Sequence, residues 1–151
     1  EIMIVVVIAV TVAAFAVPAY KRSMERNKFM AAEGKLIELS SALRNVQQMY
    51  GGYSCPKNIT TVESSYKNKD GSLNKQGCQK YPHKCMFANN YTQADLSAMN
   101  AYAYSIDENC NVCMARSKEA DSPVPYSVCL DNMGTETLKY FNGTEDKIVT
   151  R

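Results

Sequence analysis

Residues 2–19, IMIVVVIAVTVAAFAVPA, carry no charge and one clearly polar side chain, Thr11. At ~1.5 Å per residue the run makes a helix of roughly 27 Å, close to the hydrocarbon thickness of a bilayer. Apolar residues fall on every side, so the pattern leaves no face for water and requires lipid or a bundle of similar helices around it. Past residue 20 the pattern changes. Leu36, Leu39, Leu43, Val46 and Tyr50 recur at helical spacing, with Ile37 and Ala42 beside them, while Lys35, Glu38, Ser41, Arg44 and Gln48 fill the other positions. Residues 1–50 are therefore predicted to be one long helix. Its first twenty residues are buried in lipid or in a bundle, and 21–50 are amphipathic, with the Leu/Val/Tyr stripe turned to a globule. Pro18 removes a backbone donor and crowds the preceding turn, so a kink or local loosening is expected over 14–18. Gly51-Gly52 then ends the helix.

Residues 51–151 read as a globular headgroup in two parts. The first, 53–100, is irregular: Lys57-Asn58, Lys67-Asn68-Lys69-Asp70-Gly71 and Lys75-Gln76-Gly77 are turn and loop chemistry. Thr92 followed by Asp95 and Leu96 suggests an N-capped short helix through about Met99. The second part, 101–151, switches to period two. Strands are expected over 101–106, 110–117 and 126–131, with a weaker one at 137–141 and a short closing one at 147–150. Short connections between consecutive strands make the sheet an antiparallel meander. The fold class is α+β, a long N-terminal helical spine packed against an antiparallel headgroup sheet.

Composition refines this picture. Net charge is +2 over 151 residues, and mean hydropathy is −0.31 despite the apolar arm, so the remainder is polar. Near-neutral charge gives no global argument for a nucleic-acid binder, and no specific nucleic-acid partner is predicted. About a hundred residues outside the helix suffice for one small domain. All six cysteines lie between Cys55 and Cys129, outside the arm. An even count in a small domain favours disulfides formed in an oxidising compartment. Cys110-Asn-Val-Cys113 is the one CxxC, with no second pair at zinc-ribbon spacing, and His83 lacks partners at zinc-finger spacing, so no metal is expected. The apolar run exceeds a signal-peptide core and continues into Tyr20-Lys21-Arg22 without a cleavage signal, so it is expected to be retained.

Enzyme chemistry is not legible. The seven glycines are scattered, with no phosphate-cradling loop, and the single imidazole, His83, stands in a predicted loop beside Pro82. Asp107/Glu108 and Glu145/Asp146 are adjacent pairs in turns, and Asn68-Lys69-Asp70-Gly71 offers too few oxygens for calcium. No catalytic residue and no cofactor is predicted. Asn58, Asn90 and Asn142 each satisfy the Asn-x-Thr glycosylation consensus. Lys21, Arg22, Arg26 and Lys28 cluster after the apolar run. They read as the basic flank of a membrane helix or as solvated stem residues, ahead of a lipid- or DNA-binding role.

Glu1-Ile-Met-Ile-Val-Val-Val-Ile-Ala-Val, followed by alanine-rich sequence and Val17-Pro18-Ala19-Tyr20, resembles the N-terminal segment of type IV pilins and is similar to the pseudopilins of type II secretion. The likeness covers about the first thirty residues. Two features depart from the family pattern. The numbering starts at the glutamate, which in the family follows a methylated Phe or Met and a few further residues. A glycine often found midway along the run is Val10, which leaves Pro18 as the main helix weakener.

The resemblance implies a pilin-like fold and a structural subunit, not an enzyme. Such a subunit passes through the inner membrane as a single-pass protein and polymerises into an extracellular helical filament with the help of pilus assembly machinery. Glu1 and Pro18 become its assembly residues. An isolated carboxylate at a membrane helix end is costly unless paired, and Glu1 could pair with the N-terminal ammonium of a neighbouring copy. Six cysteines allow fifteen connectivities. Cys113–Cys129 joins the second and third strands and fits the family habit; Cys55–Cys78 and Cys85–Cys110 are the least tangled remainder. A pseudopilin or minor pilin, and an anchored binding domain that never polymerises, stay as alternatives.

Overall fold

The computed structural model describes residues 2–53, 55–56, 69–70, 72–87, 92, 94–99, 101–116, 126–131 and 136–140, the side chains of Tyr126 and of 136–140 excepted. Glu1, Asn58, Asn90, Asn142 and the expected strand at 147–150 lie outside the described residues.

Helix α1 runs Ile2–Tyr50, 49 residues. It continues through Pro18 without a break in the helix. Proline costs a helix one donor and strains one turn, and that loss does not end the helix here. The helix stops where the glycines stand. Gly51 takes φ +74° and its N–H closes the last turn on the Gln47 carbonyl at 2.8 Å, and Gly52 takes φ +100°.

Two short helices follow, α2 (Lys75–Lys80) and α3 (Pro82–Met86). They correct the loop assignment of this stretch and place His83 in a helix. The Asn74 side chain caps α2 by accepting the Gly77 N–H at 2.9 Å, and Pro82 opens α3 at a position where a missing donor costs nothing. The helix expected from Thr92 to Met99 does not form among the described residues. Thr92 and Asp95 instead accept N–H groups two residues on, from Ala94 and Ser97, in local side-chain turns.

The sheet holds β1 (Tyr102–Ile106), β2 (Val112–Arg116), β3 (Tyr126–Leu130) and β4 (Glu136–Tyr140) in the order β1-β2-β3-β4. All neighbours are antiparallel, with Tyr104 opposite Met114 and Met114 opposite Val128. The β1–β2 turn is pinned by Asp107, whose carboxylate accepts the Asn109 and Asn111 N–H groups at 3.0 and 2.8 Å. The last turn residue, Cys110, takes the left-handed φ of 59°.

Alternation sets the faces of the sheet. Tyr102, Tyr104 and Ile106 from β1, with Val112 and Met114 from β2 and Val128 from β3, are buried in one cluster with Leu36, Leu39, Leu43 and Val46 of α1. Ala32 and Ala42 extend the same helix stripe, whereas Ile37 lies outside it and is exposed. Each fully buried Leu or Val contributes roughly 1.5–3 kcal/mol. The molecule is thus α+β, with the sheet laid on the second half of one long helix and the first half projecting beyond it.

Disulfides close the head. Cys113–Cys129 links directly opposed positions of β2 and β3, as expected. The other two pairings are corrected: Cys55 joins Cys110, and Cys78 joins Cys85, in place of Cys55–Cys78 and Cys85–Cys110. The reason is the helical corner. Folding 75–86 into α2 and α3 brings Cys78 and Cys85 to a Cα separation of 5.6 Å, whereas a strung-out loop would hold them apart. The glycine turn after α1 carries Cys55 to the β1–β2 turn, where its N–H also reaches the Glu108 carbonyl at 3.2 Å.

Candidate assembly surface

Residues 2–24 of α1 are all exposed. The most apolar 18-residue window of this helix is 0% buried, and α1 is the one described helix long and apolar enough to cross a membrane. Ile2, Met3 and Phe15 are 82%, 84% and 81% exposed. Its polar group is internally satisfied: the Thr11 hydroxyl donates to the Ile8 carbonyl at 2.9 Å. Such a surface has no aqueous solution, because contiguous apolar area of this extent is stable only against lipid or protein. Pro18 lies inside this exposed half, and Glu1, the other predicted assembly residue, lies outside the described residues.

The head grips α1 immediately beyond. Arg116, at the end of β2, has a fully buried side chain and reaches Glu25, with Nε donating to one carboxylate oxygen at 3.2 Å and Nη2 to the other at 3.0 Å. Its guanidinium also lies 5.6 Å from the Tyr102 ring centre, and Tyr102 meets Phe29 edge-on at 6.3 Å. One turn higher, the Tyr104 hydroxyl donates to the Ala32 carbonyl at 2.9 Å. Burial, and secondarily Tyr102, pushes that hydroxyl up to about 12, so it remains a neutral donor.

A third tie holds the 92–99 segment. The Lys35 ammonium donates to Asp95 Oδ1 at 3.1 Å and to the Ser97 carbonyl at 2.7 Å, above the Tyr104 ring at 4.8 Å. The Thr92 hydroxyl donates to Glu38 at 2.7 Å. Together these contacts fix the direction in which the bare half of α1 leaves the head.

Sequence reasoning found the bare helix and its stripe but missed Glu25, Arg116 and the anchoring role of Lys35. One signal for Arg116 was available: Val112, Met114 and Arg116 share the inward parity of β2, and a charge at an inward position demands a partner.

Among the described residues one further cluster of potential ligands and one cavity stand out. Asp107, Cys113 and Cys129 bring ligand atoms within 4.8 Å of one another. Both sulfurs are tied in the Cys113–Cys129 disulfide, and the carboxylate already accepts three donors of Asn109 and Asn111. A cavity of about 380 Å³ lies between Gly52, Tyr53, Cys55 and Pro56 on one side and Gln79, Lys80 and Tyr81 on the other.

No family model, curated protein or solved structure matches the chain.

Proposed function

We propose that this chain is the structural subunit of a type IV pilus-like helical filament and not an enzyme. The observation that carries the reading is the division of α1. Its second half is the floor of a disulfide-closed head, and residues 2–19 are apolar on all sides and exposed, the most apolar 18-residue window being 0% buried. A rod of this kind takes lipid as its first surroundings and copies of itself as its second. Identical subunits joined head to tail, with a rotation that does not close, form a fibre. The N-terminal resemblance to type IV pilins, through Glu1, the apolar run and Pro18, supports the same reading. In it the subunit resides in the inner membrane, is drawn out by assembly machinery, and ends as an extracellular fimbrium serving motility, adhesion, DNA uptake or secretion.

Replacing Glu1 by Ala tests the proposal. A filament subunit still reaches the membrane but no longer appears in sheared surface filaments, as read by electron microscopy and mass identification. An anchored binding domain is indifferent to the change, and that result would exclude polymerisation. Low abundance of the wild-type chain in such filaments would point to a minor pilin or a pseudopilin.

A further inference from the structure

The segment just beyond the apolar run holds Lys21, Arg22 and Arg26, all exposed and making no ion pair among the described residues. Its one acid is Glu25, and the fold takes that acid away. Buried Arg116 reaches down from β2 to both carboxylate oxygens, and Lys28 stands 3.5 Å from one of them. The fold thus neutralises the local acid and leaves Lys21, Arg22 and Arg26 as an exposed, uncompensated positive collar.

The position of the collar is set by the helix. Residues 2–19 span roughly 27 Å, about a hydrocarbon core, and Tyr20, 66% exposed, falls at the boundary where aromatic rings settle. Residues 21–26 occupy the next ~9 Å, the depth of the phosphate layer, and the head begins at Arg116–Glu25 directly above.

We propose that Lys21, Arg22 and Arg26 form a docking collar for the phosphates of anionic phospholipids in the leaflet facing the head. This rests on the reading that the apolar half resides in a bilayer before assembly. The collar sets the depth of the stored subunit and biases it toward anionic lipid, and its lipid phosphates are released when the subunit leaves for a filament.

The test is a competition between two vesicle populations. Full-length protein, delivered in dilute detergent, is offered sucrose-loaded vesicles of phosphatidylcholine together with buffer-filled vesicles of equimolar phosphatidylglycerol and phosphatidylcholine, and the two are separated by sedimentation. Each cation near an anionic surface is worth ~1 kcal/mol, about fivefold, so the wild type favours the anionic vesicles by on the order of a hundredfold at low salt. Added salt collapses the preference. The K21Q/R22Q/R26Q variant, checked for native disulfides, divides within about twofold of evenly. A K69Q/K75Q/K80Q variant, with equal charge removed from the head, keeps the wild-type ratio.

An even division of the wild type overturns the collar while leaving membrane residence standing. Equal loss in the head variant overturns it in favour of net charge. Salt-sensitive retention of duplex DNA on a filter, with even vesicle division, reassigns the collar to nucleic acid. Entry into neither population overturns both the collar and the membrane stage beneath it.

Discussion

Arg116 and Glu25, 91 residues apart in sequence, meet in a two-pronged ion pair that joins the end of β2 to α1 at the base of the head. The pair is asymmetric. The Arg116 side chain is fully buried, while that of Glu25 is 17% exposed and has Lys28 nearby. Losing Glu25 leaves a guanidinium uncompensated in the core, and breaking a buried pair from that side costs roughly 3–5 kcal/mol. Losing Arg116 leaves a carboxylate that water and Lys28 can still reach. Urea unfolding in detergent is expected to show Glu25→Leu as the more damaging change and Arg116→Met as the milder. The double variant should recover part of the loss. Equal losses would contradict the asymmetry read from burial.

The disulfides give a second ordering. A cross-link stabilises by restricting the unfolded chain, and more so the longer the loop it closes. The sequence separations are 55 for Cys55–Cys110, 16 for Cys113–Cys129 and 7 for Cys78–Cys85. The loop-entropy relation gives about 4, 3 and 2 kcal/mol in that order. Paired Cys→Ser variants should lower the urea midpoint in the same order, and non-reducing peptide mapping should recover these three linkages. A Cys55–Cys78 peptide would refute the corner made by α2 and α3.

That corner marks where the sequence was opaque. The second half of helix α1 and strands β1 and β2 announce themselves through periods of 3.6 and two, because each turns apolar residues into the shared core. Helices α2 and α3 have six and five residues, too short to be stable alone and too short for a period. They contain Gly77 and Pro82, which read locally as turn residues. They exist because Cys78, Cys85 and Met86 are buried against α1, and that is tertiary information. Thr92 and Asp95 misled for the converse reason. Their side chains are good helix caps, but here Thr92 bonds Glu38 and Asp95 bonds Lys35, both on α1, and the segment turns instead. The bare apolar half of α1 was fully legible, since nothing in the fold modifies it. The Glu25–Arg116 contact depends on how the sheet sits on the helix, which residue order alone does not set.

Acid should loosen the Lys35 tie before it affects the core. The Asp95 carboxyl is lowered from 3.8 to about 2, first by the Ser97 hydroxyl, then by Lys35 and the Ser97 N–H. A group whose pKa is depressed on folding contributes stability above its unfolded value and loses it as pH falls through the folded one. The contact is therefore intact above pH ~4 and fades between ~4 and ~2. Asp95 is 59% exposed, so solvent screens the effect and the change stays local. Carbon-detected NMR titration of the carboxyl measures it. Ser97→Ala should raise the Asp95 midpoint more than Lys35→Met does, and the reverse order would show the ion pair to dominate.

Gly52 and Gly34 predict opposite signs for the same substitution. Gly52 adopts φ +100°, and a Cβ built there would sit 1.9 Å from the Gln79 carbonyl oxygen. Both the backbone conformation and the close approach of α2 exclude a side chain, and the obstacle is main chain, which cannot swing away. Gly52→Ala must therefore shift α2 or the end of α1, and a loss of several kcal/mol is expected, of the size typical for strain at a special backbone position. Gly34 lies in the helix, exposed, with nothing within 4 Å of its would-be Cβ. There Ala restricts the unfolded chain without a clash, and a gain of roughly 0.5–1 kcal/mol follows. Unfolding midpoints of the two variants in detergent decide the matter. A neutral Gly52→Ala would mean that α2 does not press on the glycine turn. A destabilising Gly34→Ala would mean that this face of α1 is covered in the isolated subunit.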